Sequence, residues 1–246
     1  MCASKLIPRP VERPWGGNCL HDLCGADCTG RSIGEAWIHD GTVTPRIILK
    51  WIDAREHLSV QNHPNRPGGS KREAWYILQP PDDGRIITGM KEPLDGPDPA
   101  SRLEYTSVSA GQVLEMPSGR VHALTAGSIV YEIQEPLDVT YRIYDWGRPR
   151  ETHIDDARRS INSEPAILHT PSRRPGRNPI IARKEFTLEL WAGPCAIEAP
   201  SAGVLSHVDG PHRGGSWLVE HHGILILARG EVALWASRKD EALHPA

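Results

Sequence analysis

The sequence predicts an all-β protein built from many short strands that pack as a sandwich or barrel. The 23 glycines and 22 prolines among 246 residues favour frequent turns over long helices. Short runs of strand-forming residues recur at close intervals, separated by turn signals such as those at residues 80–84 and 95–99. Regular spacing of this kind is typical of closed or double-layered β architectures.

The predicted elements follow the same order along the chain. Residues 1–30 are rich in proline and glycine, and we expect them to be irregular. A short helix over residues 152–162, with Thr152 as its N-cap, separates two groups of strands. The predicted strands cover residues 46–52, 58–63, 74–78, 85–89, 112–116, 121–124, 128–134 and 139–144, then 185–192, 203–207, 215–220 and 223–235.

Two domains are expected from this arrangement. Residues 1–162 form the first, which carries the functional motifs, and residues 163–246 form a smaller and less complete β domain after a Pro- and Arg-rich linker. The net charge of −3 and a pI near 6.5 give no basic surface for nucleic acid. Without an apolar membrane-spanning run or a secretory leader, we expect a soluble, cytoplasmic protein, either monomer or homodimer.

Five cysteines, at positions 2, 19, 24, 28 and 195, are an odd number in a chain without a secretory signal, which favours reduced thiols. The group around His21 matches no familiar metal-binding spacing, so a metal site there is the less favoured interpretation. The histidines at positions 207, 212, 221 and 222 are interpreted as ordinary surface or loop residues.

Two separated polar clusters carry the functional signal. The first runs from Ser59 to His63 and is followed by Glu73 at the head of an apolar run, and the second ends at His122. Since side chains alternate faces along a strand, Ser59, Gln61 and His63 share one face. Gln, His, Glu and His supply the nitrogen and oxygen ligands that suit zinc or a similar divalent ion. Taken singly, a Gln-x-His pair on a strand is more often part of a solvent-exposed face, and Glu73 could merely open a strand.

The second cluster contains Gly-x5-Pro-x-Gly-x2-His over residues 111–122, which resembles the second motif of the cupin barrel. Ala126 stands where that motif usually ends in Asn, and the first motif has Gln61-x-His63 where cupins usually have His-x-His. Both departures are shared with type I phosphomannose isomerases, which the chain resembles, with gaps, from about residue 13 to 162. The matching segments are Pro-Trp-Gly-Gly (14–17), Gly-Glu-Ala-Trp (34–37), Leu-Lys-Trp-Ile-Asp-Ala (49–54), Leu-Ser-Val-Gln-Asn-His-Pro (58–64), Lys-Arg-Glu-Ala-Trp-Tyr-Ile-Leu (71–78), Pro-Ser-Gly-Arg-Val-His-Ala-Leu (117–124), Glu-Ile-Gln (132–134) and Asp-Val-Thr-Tyr-Arg-Ile-Tyr-Asp-Trp (138–146).

The resemblance implies a jelly-roll cupin barrel with one zinc ion held by Gln61, His63, Glu73 and His122. It also implies an essential active-site cation at Arg142. The implied reaction interconverts mannose 6-phosphate and fructose 6-phosphate through a cis-enediol, in which positive groups stabilise charge on the C1 and C2 oxygens.

Ser59 and Lys71 match positions that face the substrate in this family, and Lys71 is a candidate for the proton-transferring base. The alternative for Lys71 is an ordinary surface lysine ahead of a strand. The chain is a shortened member, abbreviated between residues 37 and 46 and between 89 and 103. An isomerase of another sugar or sugar phosphate, or a sugar-binding cupin without catalysis, are therefore alternatives. An iron oxygenase is disfavoured by Gln61 in place of histidine.

Overall fold

The computed structural model of the protein describes residues 3–42, 44–66, 69–91, 94, 98–220 and 223–238. His221 and His222, the masked part of the 95–99 turn and the last residues of the expected second domain lie outside the described residues. Strands account for most of the regular structure, which confirms the predicted all-β class.

The strands are β1 (Ala3–Leu6), β2 (Arg9–Gly17), β3 (Ile33–Asp40), β4 (Ile48–Ala54), β5 (Val60–Asn62), β6 (Asn65–Arg66), β7 (Gly69–Ser70), β8 (Glu73–Gln79), β9 (Arg85–Met90), β10 (Leu103–Ser107), β11 (Val113–Met116), β12 (Ser128–Gln134), β13 (Tyr141–Tyr144), β14 (Ile167–His169), β15 (Gly176–Ala182), β16 (Thr187–Ala192), β17 (Cys195–Glu198), β18 (Gly203–Asp209), β19 (Ser216–Val219), β20 (Ile224–Leu227) and β21 (Val232–Ser237). Helices α1 (Cys19–Cys24) and α2 (Ile154–Ser160) and a 3-10 turn (Ala100–Arg102) complete the described structure.

Two large antiparallel sheets form the centre of the molecule. The seven-stranded sheet has the order β14-β11-β8-β12-β4-β2-β3, with β3 also paired to β4, and the six-stranded sheet has the order β1-β19-β18-β21-β16-β15. Short pairs cover their outer faces: β5 with β13 and β9 with β10 on one side, β17 with β20 on the other. The strands β4, β8 and β12 lie mid-sheet because their residues are almost continuously apolar and buried on both faces.

Three apolar layers follow from the period-two alternation of these strands. Along β4, Trp51 points between the two sheets, where it packs with residues such as Phe186. Its neighbour Ile52 points to the opposite face of the seven-stranded sheet. There the sheet and the β5–β13 and β9–β10 pairs enclose the first barrel. Along β21, Leu234 joins the core between the sheets, whereas Trp235 points to the β17–β20 side. The two halves of the chain therefore share one buried core.

The expected boundary between two domains at residue 162 stays a prediction, and two strands cross it. The N-terminal β1 pairs with β19 of the six-stranded sheet. In the other direction, β14 pairs with β11 of the seven-stranded sheet. Each half thus contributes one strand to the large sheet of the other half, held by backbone hydrogen bonds.

Local expectations were wrong at several points. Residues 1–30 contain two strands and a helix that ends at Gly25, a residue in the left-handed conformation with φ 72°. The second helix is shorter than predicted, and His153 rather than Thr152 occupies its N-cap, with no side-chain capping bond. Residues 121–124 form isolated bridges in place of a strand, and residues 223–235 are two strands joined by a turn. In the described part of the chain, no helix is long and apolar enough to span a membrane.

Candidate metal centre and active site

Three predicted ligands meet inside the first barrel. Glu73 opens β8 on the same face as Trp75, which places its carboxylate among the buried side chains of the barrel. His63 follows β5 directly, and His122 lies opposite that strand because its backbone forms a two-way bridge with Gln61. All three ligand side chains are only 1% exposed.

Backbone carbonyls orient both imidazoles. The Nδ1 atom of His63 lies 2.8 Å from the Val139 carbonyl oxygen, and the Nδ1 atom of His122 lies 2.8 Å from that of Arg120. Donation from Nδ1 leaves each Nε2 free to accept, and this is the tautomer that a metal-binding histidine needs. The carbonyls thus aim both Nε2 atoms at the same point.

The distances between ligand atoms fit a single ion. The two Nε2 atoms are 3.2 Å apart, and each is 3.1 Å from one oxygen of Glu73. Ligands about 2.0–2.1 Å from a tetrahedral metal are about 3.3 Å from one another. Neither oxygen of Glu73 accepts a well-formed hydrogen bond, although the Lys71 ammonium lies 2.9 Å from Oε2. A further cation among the three ligand side chains would satisfy the oxygens of this buried carboxylate.

The charge pattern also favours cation binding. Burial lowers the pKa of His63 to about 4, and the Lys71 ammonium acts in the same direction, so the imidazole is neutral near pH 7. Burial alone would raise the pKa of Glu73, but Lys71 and the two imidazoles hold it well below its usual value. The centre therefore offers one carboxylate and, at His63, a neutral imidazole, the protonation states that metal binding requires.

Lys71 lies in this centre, not on the surface as the alternative interpretation had it. Its side chain is only 4% exposed, and its Nζ atom lies 2.9 Å from Glu73 Oε2 and 3.1 Å from His63 Nε2. The lysine supplies the positive charge nearest to the carboxylate. Its role toward a substrate stays a prediction.

Gln61 and Ser59 flank the same centre. The Ser59 hydroxyl donates to Gln61 Oε1 over 2.9 Å, and both side chains line a cavity of about 330 Å³. Gln61 lies on β5 two residues before His63, as the alternation predicts. The metal-ligand role of Gln61 and the substrate-facing role of Ser59 remain predictions.

Arg142 faces this cavity from β13. Its backbone pairs directly with Gln61 across the β5–β13 ribbon, and its Nη1 atom donates to the Glu151 carbonyl oxygen over 2.6 Å. Two further arginines line the cavity, but each contacts a carboxylate: Arg13 with Glu35 and Arg150 with Asp145. The structure thus places Arg142 beside the predicted metal ligands.

Comparison with known proteins gives the family. No family model matches the chain. A protein named "Probable mannose-6-phosphate isomerase GmuF" from Bacillus subtilis (strain 168) is 30% identical over 226 residues, covering 68% of this chain and 71% of the relative. The chain belongs to the mannose-6-phosphate isomerase family. A second relative, mannose-6-phosphate isomerase ManA of the same organism, is 30% identical over 211 residues, covering 63% of this chain and 67% of the relative.

Solved structures of proteins with this name share the fold. The mannose 6-phosphate isomerase of Bacillus subtilis aligns with a TM-score of 0.81 at 21% identity, over 96% of this chain and 99% of that one. A zinc-bound mannose 6-phosphate isomerase aligns with a TM-score of 0.75 at 13% identity, over 96% and 100% of the two chains. The predicted all-β cupin fold is confirmed by these neighbours.

Two buried charged residues of this family member were missed by the sequence analysis. Lys50 lies in the middle of β4 and Glu132 in the middle of β12, directly opposite each other, with 3.3 Å between Lys50 Nζ and Glu132 Oε1. Trp75 Nε1 donates to the other oxygen of Glu132, and Gln134 accepts from Lys50. Both charged side chains line the cavity. The signal that could have found them is a charged residue in the middle of a mostly apolar strand.

The electrostatics of Lys50 follow from these partners. Burial alone would lower the pKa of its ammonium, but the carboxylates of Glu132, Glu35 and Asp138 raise it above its ordinary value. Lys50 is therefore a permanent cation near pH 7. Its Nζ atom also lies 4.4 Å from the ring centre of Trp37, a favourable cation–π arrangement.

The cysteines give no comparable cluster. Cys19 is exposed, Cys24 half-buried and Cys28 buried, and all three are free thiols. Burial raises the pKa of Cys24 to about 11, which keeps that thiol protonated. A metal site at these cysteines gains no support from the described residues.

Proposed function

We propose that this protein is a zinc-dependent aldose–ketose isomerase that interconverts mannose 6-phosphate and fructose 6-phosphate through a cis-enediol. The proposal is supported by the family and, above all, by one observation. Three buried ligand atoms, on His63, Glu73 and His122, lie within 4.8 Å of one another next to a cavity that also receives Lys71 and Arg142. A sugar-sized cavity of about 330 Å³ agrees with this substrate class.

The metal would be held by His63, Glu73 and His122, with Gln61 as the fourth protein ligand. The geometry and charge of these groups suit zinc, and the unsatisfied carboxylate oxygens of Glu73 are the feature that an ion would complete. Once bound, zinc would act as a Lewis acid that polarises the oxygens of the sugar's reacting carbons.

The cavity is suited to an anionic substrate. Its wall contains five cationic side chains and four carboxylates: Arg13, Lys50, Lys71, Arg142 and Arg150 against Glu12, Glu35, Glu132 and Asp138. Among the described residues, Arg13 and Arg150 contact carboxylates while Arg142 donates to a carbonyl. We therefore assign Arg142 to the negative charge of the substrate, either its phosphate or the oxygen on which charge develops. Ser59, buried beside Gln61, would hydrogen-bond the sugar.

Isomerisation requires a base that moves one proton between C2 and C1. Lys71 is one candidate, and its ammonium would have to release its proton before it could act as that base. Glu132 is a second candidate, because its Oε1 atom accepts no well-formed hydrogen bond and its side chain lines the cavity. Glu132→Gln and Lys71→Met can be compared by solvent-deuterium exchange into the sugar, since the variant that lacks the base loses exchange as well as turnover.

A metal-dependent turnover assay tests the proposed function. Metal-free protein should not convert mannose 6-phosphate to fructose 6-phosphate, and one equivalent of zinc should restore conversion. The control is the zinc-loaded Arg142→Ala variant, which should bind the ion normally and lose most of its turnover. The proposal is wrong if zinc occupies the site and neither mannose 6-phosphate nor any other hexose or pentose phosphate turns over. Binding of sugars without turnover would favour the non-catalytic cupin.

A further inference from the structure

A second group of potential metal ligands lies at one end of the six-stranded sheet. His207 belongs to β18, Glu231 directly precedes β21, and His212 lies on the loop that joins β18 to β19. The Glu231 Oε1 atom is 4.0 Å from His207 Nδ1 and 3.6 Å from His212 Nε2. The imidazole rings have centroids 5.6 Å apart. From the sequence, both histidines were expected to be ordinary surface or loop residues; this was wrong for His207, which is buried within β18.

Two buried polar atoms in this group lack partners in the described part of the chain. Glu231 and His207 are each only 5% exposed. One oxygen of Glu231 accepts from the Ala228 backbone N–H over 2.6 Å, but Oε1 accepts no hydrogen bond, and neither does His207 Nδ1 make one. A separation of 4.0 Å is too long for a hydrogen bond. Such an arrangement is costly unless a third species lies between the two atoms.

We propose that His207, His212 and Glu231 form a second site for a divalent cation of the zinc class. One carboxylate and two imidazoles are ligands that zinc and its neighbours accept. Ligands about 2.0–2.1 Å from a tetrahedral ion lie about 3.3 Å apart. The separations of 4.0 Å and 3.6 Å from Glu231 Oε1 are longer than this, and side-chain shifts of under about 1 Å would bring these atoms to the tetrahedral distance. The proposal uses none of the residues assigned to isomerisation.

The site can close on an ion by small side-chain movements, most of them at His212. It is more open than the centre in the first barrel, where all ligand atoms lie within 4.8 Å of one another. His212 is 61% exposed, so its imidazole can turn inward without disturbing the core. His212 and Trp217 also line a surface cleft with Lys5 and His21, through which an ion can enter.

Protonation of His207, to form an ion pair with Glu231, explains the 4.0 Å gap between them less well than a bound metal ion does. Burial lowers the pKa of His207, although Glu231 opposes this effect, so the imidazole is largely neutral near pH 7. A neutral imidazole is also the form that binds a metal. When bound, the ion would tie the 210–214 loop to the 228–231 turn, which holds Glu231 through backbone bonds to Ala228 and Gly193. We therefore infer a structural role for this site.

Metal counting tests the proposal without any reference to turnover. The full chain is dialysed against zinc or cobalt, and bound metal is measured by mass spectrometry. Wild-type protein should hold two equivalents. Glu231→Gln, which keeps the acceptor for the Ala228 N–H, and His212→Ala, a change at an exposed position, should each hold one. The cobalt-loaded variants should also lose one component of the visible d–d absorption.

A matched control is His21→Ala, because this exposed histidine lines the same cleft without contacting Glu231. It should keep both equivalents. The proposal is overturned if His212→Ala and Glu231→Gln bind as many equivalents as wild-type protein does, which would leave a water between His207 and Glu231. Failure of the proposed metal centre at His63, Glu73 and His122 would instead lower every count by one and leave the difference between wild type and variants unchanged.

Discussion

The buried Lys71–Glu73 pair offers a sharp test of the metal centre. Lys71 and Glu73 are 4% and 1% exposed, with 2.9 Å between Nζ and Oε2. Lys71→Met keeps a side chain of similar length but removes the charge, so the metal-free protein would bury the Glu73 carboxylate without its nearest cation. Removal of one partner from a buried pair typically costs about 3–5 kcal/mol.

Protonation of Glu73 limits that cost. Starting from an ordinary carboxyl pKa of 4.5, neutralisation at pH 7 costs about 3.4 kcal/mol, at about 1.36 kcal/mol per pH unit. We therefore expect the free energy of unfolding of the metal-free variant to fall by about 3 kcal/mol. For a chain of this size, that lowers Tm by roughly 6–12 °C.

Zinc should remove most of this penalty, because the ion supplies the positive charge that the carboxylate has lost. We expect the zinc-loaded variant to lose under about 1 kcal/mol of unfolding free energy. A thermodynamic cycle then requires zinc to bind the variant at least about 30-fold more tightly than it binds wild type. Scanning calorimetry of both forms measures the difference. Lys184→Met, at an exposed position, is the control and should change neither Tm. An equal loss of Tm with and without zinc would refute the reasoning.

Three further predictions concern the rest of the molecule. Arg142→Ala should lower kcat/KM for mannose 6-phosphate by about 10²–10³-fold with little change in Tm, and steady-state kinetics near the wild-type value would contradict its assignment. Glu115→Gln should destabilise the fold by about 3 kcal/mol at pH 7, because it leaves Arg72 and Arg183 without their buried carboxylate. Burial alone would raise the pKa of the Glu115 carboxyl, but hydrogen bonds from Arg183 and His169 hold it below the ordinary value of 4.5. The stability difference between wild type and variant should therefore be complete above that pH and should vanish as the pH falls through the pKa of Glu115 in the folded protein. Acid unfolding of both proteins measures this difference. Phe186→Ala should lower the free energy of unfolding by about 3–5 kcal/mol, because Phe186 packs in the core shared by both sheets. Denaturant unfolding of the variant should still show a single transition, and two transitions would contradict a shared core.

The segments of the candidate metal centre could be predicted because their signal is local. Gln61 and His63 are two residues apart on a strand, so period-two alternation puts them on one face, and Glu73 opens an apolar run. The choice of a barrel's inner face rested on the family resemblance. His122 closes a gapped motif whose Gly119 has φ 78°, a conformation that disfavours other residues. Local pattern and family resemblance pointed to the same four residues.

Other features depend on contacts between distant parts of the chain. Lys50 and Glu132 are 82 positions apart and meet only through the β4–β12 pairing, so their mutual compensation cannot be seen in either segment alone. The same holds for β1, which pairs with β19 at the far end of the chain. His207 and Glu231 likewise approach each other only because β18 pairs with β21.

Anomalous X-ray scattering at the zinc edge, on crystals of protein grown with zinc, would show whether His63, Glu73 and His122 hold the ion. We expect a peak within bonding distance, about 2.0–2.2 Å, of His63 Nε2, His122 Nε2 and a carboxylate oxygen of Glu73. A density map that shows no anomalous peak among these three side chains, with zinc present in excess, would contradict it.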